Sequence, residues 1–337
     1  LEPEKTKGSE IGTELKFFNN RFGIDLTLYK QNSENQILPV PVAQTSGFNS
    51  FYLNAGEIET KGIEALVNFS PIRSKDFDWD LTLNYSKVET EVLSLPPGID
   101  EIVFADSGFA GVVSRIEVGG SIGDLYGYTW AYDDNGNRLI GDDGFPSIVA
   151  NSTSDRVKVG NAMPDWTGSL QSVFRYKGLS FSFLIERKQG GELYDSGQRN
   201  SIRNGTLAIT EFRNEETILD GVLADGSPNN IPVLIDQNYY RSSAIYNRAS
   251  EILVQDASWW RLRNVTLSYE LGDQIVGQTP FDRIKFSATG NNLWVDTPFR
   301  GYDPEGSQFS AGTNAYGFTG LNIPNTRSYI FSVNLNF

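Results

Sequence analysis

Thr326-Arg-Ser-Tyr-Ile-Phe-Ser-Val-Asn-Leu-Asn-Phe337 closes the chain, and its alternation decides the fold. Tyr329, Phe331, Val333, Leu335 and Phe337 fall on one face; Ser328, Ser332, Asn334 and Asn336 fall on the other, with Ile330 the exception. A period of two over this length specifies a β-strand. The polar set is Ser and Asn, which suits a wet surface rather than a packed interior. Working back along the chain, Ile284, Phe286 and Ala288 oppose Lys285, Ser287 and Thr289, and Trp79, Leu81, Leu83 and Tyr85 oppose Asp80, Thr82, Asn84 and Ser86. Ile63, Ala65, Val67 and Phe69 alternate with Glu64, Asn68 and Ser70; Phe22, Ile24, Leu26 and Leu28 alternate with Gly23, Asp25 and Thr27.

Nine such stretches lie near residues 9–18, 21–31, 57–70, 76–92, 165–176, 178–190, 257–270, 281–293 and 326–337. The gaps between them alternate strictly between short and long. Asn19-Asn20, 71–75, Lys177-Gly178 and 271–280 are short; 32–56, 93–164, 191–256 and 294–325 are long. A soluble sandwich has no reason to keep its short turns at one end and its long loops at the other. A membrane-spanning barrel does, because one rim only reverses the chain while the other presents working loops to the outside. The expected fold is therefore all-β: a transmembrane antiparallel β-barrel wall of about nine to ten strands with long extracellular loops.

Composition agrees. The chain has 337 residues, 39% hydrophobic, with a mean hydropathy of −0.33. No run of eighteen apolar residues exists, which excludes a helical span but not a barrel, whose strands need only alternate residues toward lipid. Phe 21, Tyr 15 and Trp 6 supply aromatics for interfacial girdles. Cysteine and histidine are both absent, which removes disulfides, thiolate and imidazole metal sites, and Ser-His-Asp or Cys-His catalysis. A carboxylate-pair mechanism needs only two acids, but nothing marks a pair among the 42 present, and no enzyme is expected. A net charge of −14 argues against a nucleic-acid partner. Leu1-Glu-Pro-Glu-Lys5 is no signal peptide.

With the short turns on the periplasmic side, the last strand ends there at Phe337, and the first strand also descends, placing Leu1 outside. A complete bacterial barrel begins and ends in the periplasm with an even strand number. The expectation is a piece of a larger barrel, preceded by at least one more strand.

Four motifs carry a family likeness. Leu1-Glu-Pro-Glu-Lys-Thr-Lys7 with Glu10-Ile11-Gly12 and Phe17-Phe18-Asn19-Asn20-Arg21 resembles the barrel-opening motif of TonB-dependent receptors. Ala257-Ser-Trp-Trp-Arg-Leu-Arg-Asn-Val-Thr-Leu267 resembles a strand typical of their SusC/RagA branch. Asn291-Asn292-Leu293 followed by Gly301-Tyr-Asp-Pro-Glu305, and Ile323-Pro324 with Thr326-Arg327, complete the series. The resemblance spans residues 1–337 as the C-terminal part of a longer family protein, without the signal peptide, TonB box and plug domain. It implies part of a 22-stranded barrel in the Gram-negative outer membrane. It also implies TonB-dependent uptake of oligosaccharides or peptides, outer-membrane lipid around the barrel, a SusD-like surface lipoprotein as lid, and a TonB complex reached through the missing N-terminal part. No cofactor is implied. The alternative is a passive pore or surface-binding barrel without TonB coupling.

Tyr329, Phe331, Val333, Leu335 and Phe337 resemble a C-terminal signal read by the barrel-assembly machinery. Sugar rings stack on aromatic faces, so the loop aromatics Tyr128, Trp130, Tyr132 and Tyr302 are candidate substrate contacts, with Tyr126, Tyr239 and Tyr240 in the same loops. Asp133-Asp-Asn-Gly-Asn137 and Asp142-Asp-Gly144 have oxygen density suited to calcium. The sixth position from Asp133, however, is Arg138 rather than Gly, and the twelfth is Gly144 rather than Glu. Asx and glycine turns are the better reading, and no metal site is expected. Deleting residues 93–164 is expected to impair lid docking or uptake while the barrel still assembles.

Overall fold

The computed structural model describes residues 1–41, 45, 47–48, 50–54, 56–106, 111–149, 156–241, 249–309 and 315–337. Nine long strands form one sheet: β1 (Lys5–Phe17), β2 (Phe22–Glu34), β3 (Glu57–Arg73), β4 (Phe77–Ser94), β5 (Trp166–Tyr176), β6 (Leu179–Gln189), β7 (Trp259–Glu270), β8 (Arg283–Asp296) and β9 (Ser328–Asn336). Each pairs antiparallel with its neighbours in chain order, and the sheet is open, with β1 and β9 as its edges.

Register carries the alternation of single strands into one continuous face. Phe17 pairs with Phe22, Phe22 with Phe69, and Phe69 with Leu81. One level along, Val67 pairs with Leu83, Leu83 with Leu170, and Leu170 with Ile185. Trp79 pairs with Phe174, Phe174 with Phe181, Phe181 with Leu267, Leu267 with Ala288, and Ala288 with Phe331. Directly paired residues point to the same side of a sheet, so all nine strands present their apolar sets together. These residues are left open: Phe331 is 82% exposed and Phe337 90%. Among the described residues nothing covers this face, the arrangement expected where lipid does so.

Aromatic residues mark both ends of the apolar band. Phe17, Phe22 and Phe69 cluster near the short turns, as do Trp79, Phe174 and Phe181. Tyr85 and Trp166 meet toward the long loops with ring centroids 5.8 Å apart, and Arg187 lies over Trp260 on the adjoining strands. From Ile72 to Ile63 the band covers ten residues of β3; nine steps at a rise of ~3.3 Å and a tilt of ~40° give roughly 23 Å. This is close to the apolar height of an outer-membrane barrel.

The turn chemistry is specific. Phe18, Asn19 and Asn20 all take positive φ, as does Lys177. Gly178 is needed for a different reason: a Cβ there would sit 2.4 Å from the Glu270 carbonyl oxygen. The stretch after β7 contains a single helical turn, Asp273–Val276.

The long loops are folded rather than merely connecting. Ala105, Val112 and Leu125 from the second long loop pack with Tyr194, Ile202, Val233, Tyr239 and Leu253 of the next and Phe318 of the last, forming one hydrophobic core. A small sheet joins Glu192–Asp195, Val254–Asp256 and Phe318–Thr319 across two of these loops. A second core, Leu38, Ile58, Val92, Ile102 and Ile116, ties the 35–56 loop to the 95–165 loop. This bears on the expected effect of removing 93–164: the segment supplies Ala105, Val112 and Leu125 to a shared core, so its loss would also unseat the neighbouring loops.

Candidate functional site

The polar face of the sheet encloses a concavity of about 640 Å³, lined by Asp25, Thr27, Glu64, Asn84, Thr167 and Glu186 among others, with Trp259 and Arg263 at one end. Its floor is hydrogen-bonded across strands. Asn84 Nδ2 donates to Ser169 Oγ at 3.0 Å; outside the concavity, on the same polar face, Thr266 and Thr289 share a hydroxyl bond of 2.9 Å.

The most organised part is a set of charges at the junction of β7 and the last loop. Pairing breaks step at Arg263: Leu262 opposes Ile185 and Trp294, while Asn264 opposes Leu184 and Asn291. The strand therefore carries an extra residue at Arg263, and Asn292 opposite it takes a positive φ. Such a bulge re-aims side chains, and here two arginines reach the same loop. Arg261 Nη2 donates to Asp303 Oδ1 at 2.7 Å, and Arg261 Nε lies 3.0 Å from Glu305 Oε2. Arg263 Nη1 donates to Glu305 Oε2 at 2.9 Å, and further bonds join Arg263 to Glu305 and to Glu186. Asn325 completes the cluster: its backbone N–H donates to Asp303 Oδ2 and its amide to Glu305 Oε2, both at 2.9 Å. Arg261 and Arg263 flank the Trp259 ring at 5.5 and 4.9 Å from its centroid. Arg261 and Asp303 are almost fully buried, so each depends on the other for compensation.

The four aromatics singled out as substrate contacts occupy unlike places. Trp130 is 2% exposed and Tyr128 5%; both are enclosed by packing within the loops. Arg138 lies over the Trp130 ring and Arg156 over Tyr128. Tyr132 keeps an open ring while its hydroxyl donates to Glu251 Oε1 at 2.9 Å. Tyr302, beside Asp303, is 66% exposed. Tyr126 is buried, its hydroxyl donating to Glu117 at 2.5 Å; burial and that carboxylate push its ionisation above the ordinary tyrosine range. Tyr239 and Tyr240 belong to the loop core.

The Asp133 turn is built as an Asx turn: Oδ1 accepts from the Asn135 and Asn137 N–H groups at 2.9 and 2.7 Å. No group of three or more potential metal ligands occurs among the described residues. Tyr329, Phe331, Val333, Leu335 and Phe337 all lie on the apolar face at the β9 edge.

Nine antiparallel strands with one uncovered apolar face, a wet concave face and folded loops at one end define a section of membrane-type β-barrel wall. The comparisons agree. Residues 1–293 match the family described as "TonB dependent receptor-like, beta-barrel". TonB-dependent receptor P3 of Formosa agariphila is 28% identical over 364 residues, covering 100% of this chain and 34% of the receptor. TonB-dependent receptor SusC of Bacteroides thetaiotaomicron is 23% identical, with 100% and 32% covered. Among solved structures, the RagAB peptide transporter superposes with a TM-score of 0.73 at 20% identity, covering 99% of this chain and 35% of that one. The chain belongs to the TonB-dependent receptor β-barrel family and spans about a third of the length of these relatives.

Proposed function

We propose that this chain is the C-terminal barrel portion of an outer-membrane importer of the SusC/RagA kind. The plug domain and TonB box would belong to another part of the same protein. The observation that carries this reading is the register-locked division of nine strands into an apolar and a wet face, in a chain of the TonB-dependent receptor family. The share of the relatives' length that the chain covers supports its being a part of a larger barrel.

In this reading the polar face lines the transport lumen and the folded loops form the outer mouth, where a SusD-like lipoprotein would dock as a lid. The cargo is an oligosaccharide or a peptide. Of Tyr128, Trp130, Tyr132 and Tyr302, the reading assigns cargo contact to Tyr132 and Tyr302, an assignment supported by their open rings. The Arg261–Asp303 cluster holds the Tyr302 loop against the lumen wall. The relatives named are receptors and a transporter, and the chemistry assigned here is binding and passage rather than catalysis.

The test is uptake of labelled oligosaccharide or peptide by cells carrying the full-length protein, before and after collapse of the proton-motive force. Uptake that stops on collapse supports energised import. Uptake that continues unchanged would select the passive pore instead.

A further inference from the structure

The apolar face does not end the same way around the wall. On β5–β8 its upper margin carries Trp166, Arg187, Trp260 and Trp294, all on the apolar side by register. On β2–β4 the same margin carries lysines. Ile63 pairs with Leu28 on one side and Lys87 on the other, and the next outward level pairs Lys30 with Lys61. Register therefore puts all three lysines on the lipid side at the end that bears the long loops: Lys87 is level with Ile11, Leu28 and Ile63, and Lys30 and Lys61 lie one level further out, with Glu89 opposite Lys61.

Two lysines placed directly opposite one another repel. Here Glu59 sits between them, its carboxylate bonded to Lys30 Nζ at 2.6 Å and also to Lys61 Nζ. The Glu59 side chain is only 8% exposed, whereas both lysine side chains are 53% exposed. The shared carboxylate thus holds the pair from its loop side and leaves further donors on each exposed ammonium, since each carries three. Lys87 is paired with Glu89 at 2.6 Å and is also substantially exposed. Below the lysine pair lies a shallow groove of about 440 Å³ lined by Ser9, Ile11, Leu28, Lys30 and Lys61. An apolar groove that opens onto paired ammonium groups matches a molecule with an acyl chain and an anionic head. Lysine stems lying along apolar surface while their heads reach the interface suit the same position.

We infer that Lys30, Lys61 and Lys87 form a binding site on the outside of the barrel for a phosphate-bearing lipid of the outer leaflet, its acyl chain lying over Ile11 and Leu28. This rests on the outer-membrane reading above. It adds a lipid contact on the opposite face of the wall from the lumen.

The experiment uses the full-length protein extracted in detergent, with lipid binding followed by native mass spectrometry. The probes are monophosphorylated lipid A, dephosphorylated lipid A and inorganic phosphate. The wild type should prefer the phosphorylated lipid, and K30Q/K61Q/K87Q should lose about five-fold of that preference per lysine removed. K30R/K61R/K87R should retain it. Heat-modifiability on gels reports whether each barrel is folded; if the triple glutamine variant does not fold, K30Q and K87Q are read singly. A folded glutamine variant with unchanged preference would overturn the site, as would displacement of the lipid by millimolar inorganic phosphate. Fractionation separates the two claims: a full-length protein absent from the outer membrane sinks the underlying reading. A protein present there with an unchanged preference sinks only the lipid site.

Discussion

Arg261 on strand β7 donates from Nη2 to Asp303 Oδ1 of the last loop at 2.7 Å, and both side chains are buried. Wall and mouth are joined at this point, because Asp303 also accepts from the backbone N–H groups of Glu305 and Asn325. Removing one partner leaves a buried charge without compensation, which costs about 3–5 kcal/mol. Arg261→Ala is expected to accelerate hydrogen exchange across 301–325 while β1–β4 keep their protection. Arg261→Leu combined with Asp303→Leu should recover part of the loss. Unchanged exchange in Arg261→Ala would show that the loop is held by other contacts.

Leu83 and Asn84 are neighbours in β4 that register assigns to opposite faces, Leu83 beside Val67 and Leu170, Asn84 beside Leu66 and Ser169. An arginine facing lipid near mid-bilayer costs about 2–4 kcal/mol, whereas the lumen tolerates polar change. Leu83→Arg should therefore reduce the amount of folded full-length barrel recovered from membranes, and Asn84→Arg should not. Equal losses would refute the face assignment.

Trp130 and Tyr132 separate structure from recognition within three residues. Trp130→Ala opens a cavity in a packed site and is expected to destabilise the loops by about 3–5 kcal/mol, seen as protease sensitivity. Tyr132→Ala and Tyr302→Ala should leave protease resistance intact and weaken cargo binding by the full-length protein, each by a stacking contribution of about 1 kcal/mol. Wild-type binding in both variants would remove these two residues from the cargo path.

Asp195 caps the helix Ser196–Arg203 by accepting from the Gln198 N–H, and burial raises its carboxyl above the ordinary carboxylate range. A carboxyl with a raised folded pKa binds its proton more tightly folded than unfolded. The protonated carboxyl's contribution is thus fully present below the unfolded pKa and is lost as pH rises from there through the folded one. Asp195→Asn keeps an oxygen acceptor and removes that ionisation. Relative to wild type, the helix in Asp195→Asn should gain protection as pH rises from about 4 to neutrality. Asp195→Ala should lose about 1 kcal/mol of cap. Opening energies from hydrogen exchange, corrected for intrinsic rates, decide it; reduced protection of Asp195→Asn at neutral pH would contradict the account.

The wall was legible because, across the apolar band, the strand pattern answers to lipid on one side and water on the other; near the loop ends residues such as Ile58 and Val92 pack into a loop core instead. All nine stretches became strands, in order and antiparallel. The boundaries were less so. β1 begins at Lys5 rather than near residue 9, because Lys5, Lys7 and Ser9 continue the lipid-side face above the apolar band, where alternation of hydropathy stops but pairing with β2 does not. The folded loops were hidden for another reason. Their cores join residues as distant as Val112 and Phe318, which no local period reveals. The same distance concealed the Arg261–Asp303 cluster, although both halves lie in motifs already conspicuous in the sequence. Tyr128 and Trp130 could not be told from Tyr132 by composition, since burial alone distinguishes them.

The most direct test of the central claim follows β4 residue by residue in the full-length protein, in native outer membrane. The chain contains no cysteine, so single cysteines can be placed along residues 79–86 and spin-labelled. Accessibility to a lipid-soluble relaxation agent is expected at 79, 81, 83 and 85, and to a water-soluble one at 80, 82, 84 and 86. A uniform profile, or the opposite phase, would contradict a barrel wall with lipid on one face and a wet lumen on the other.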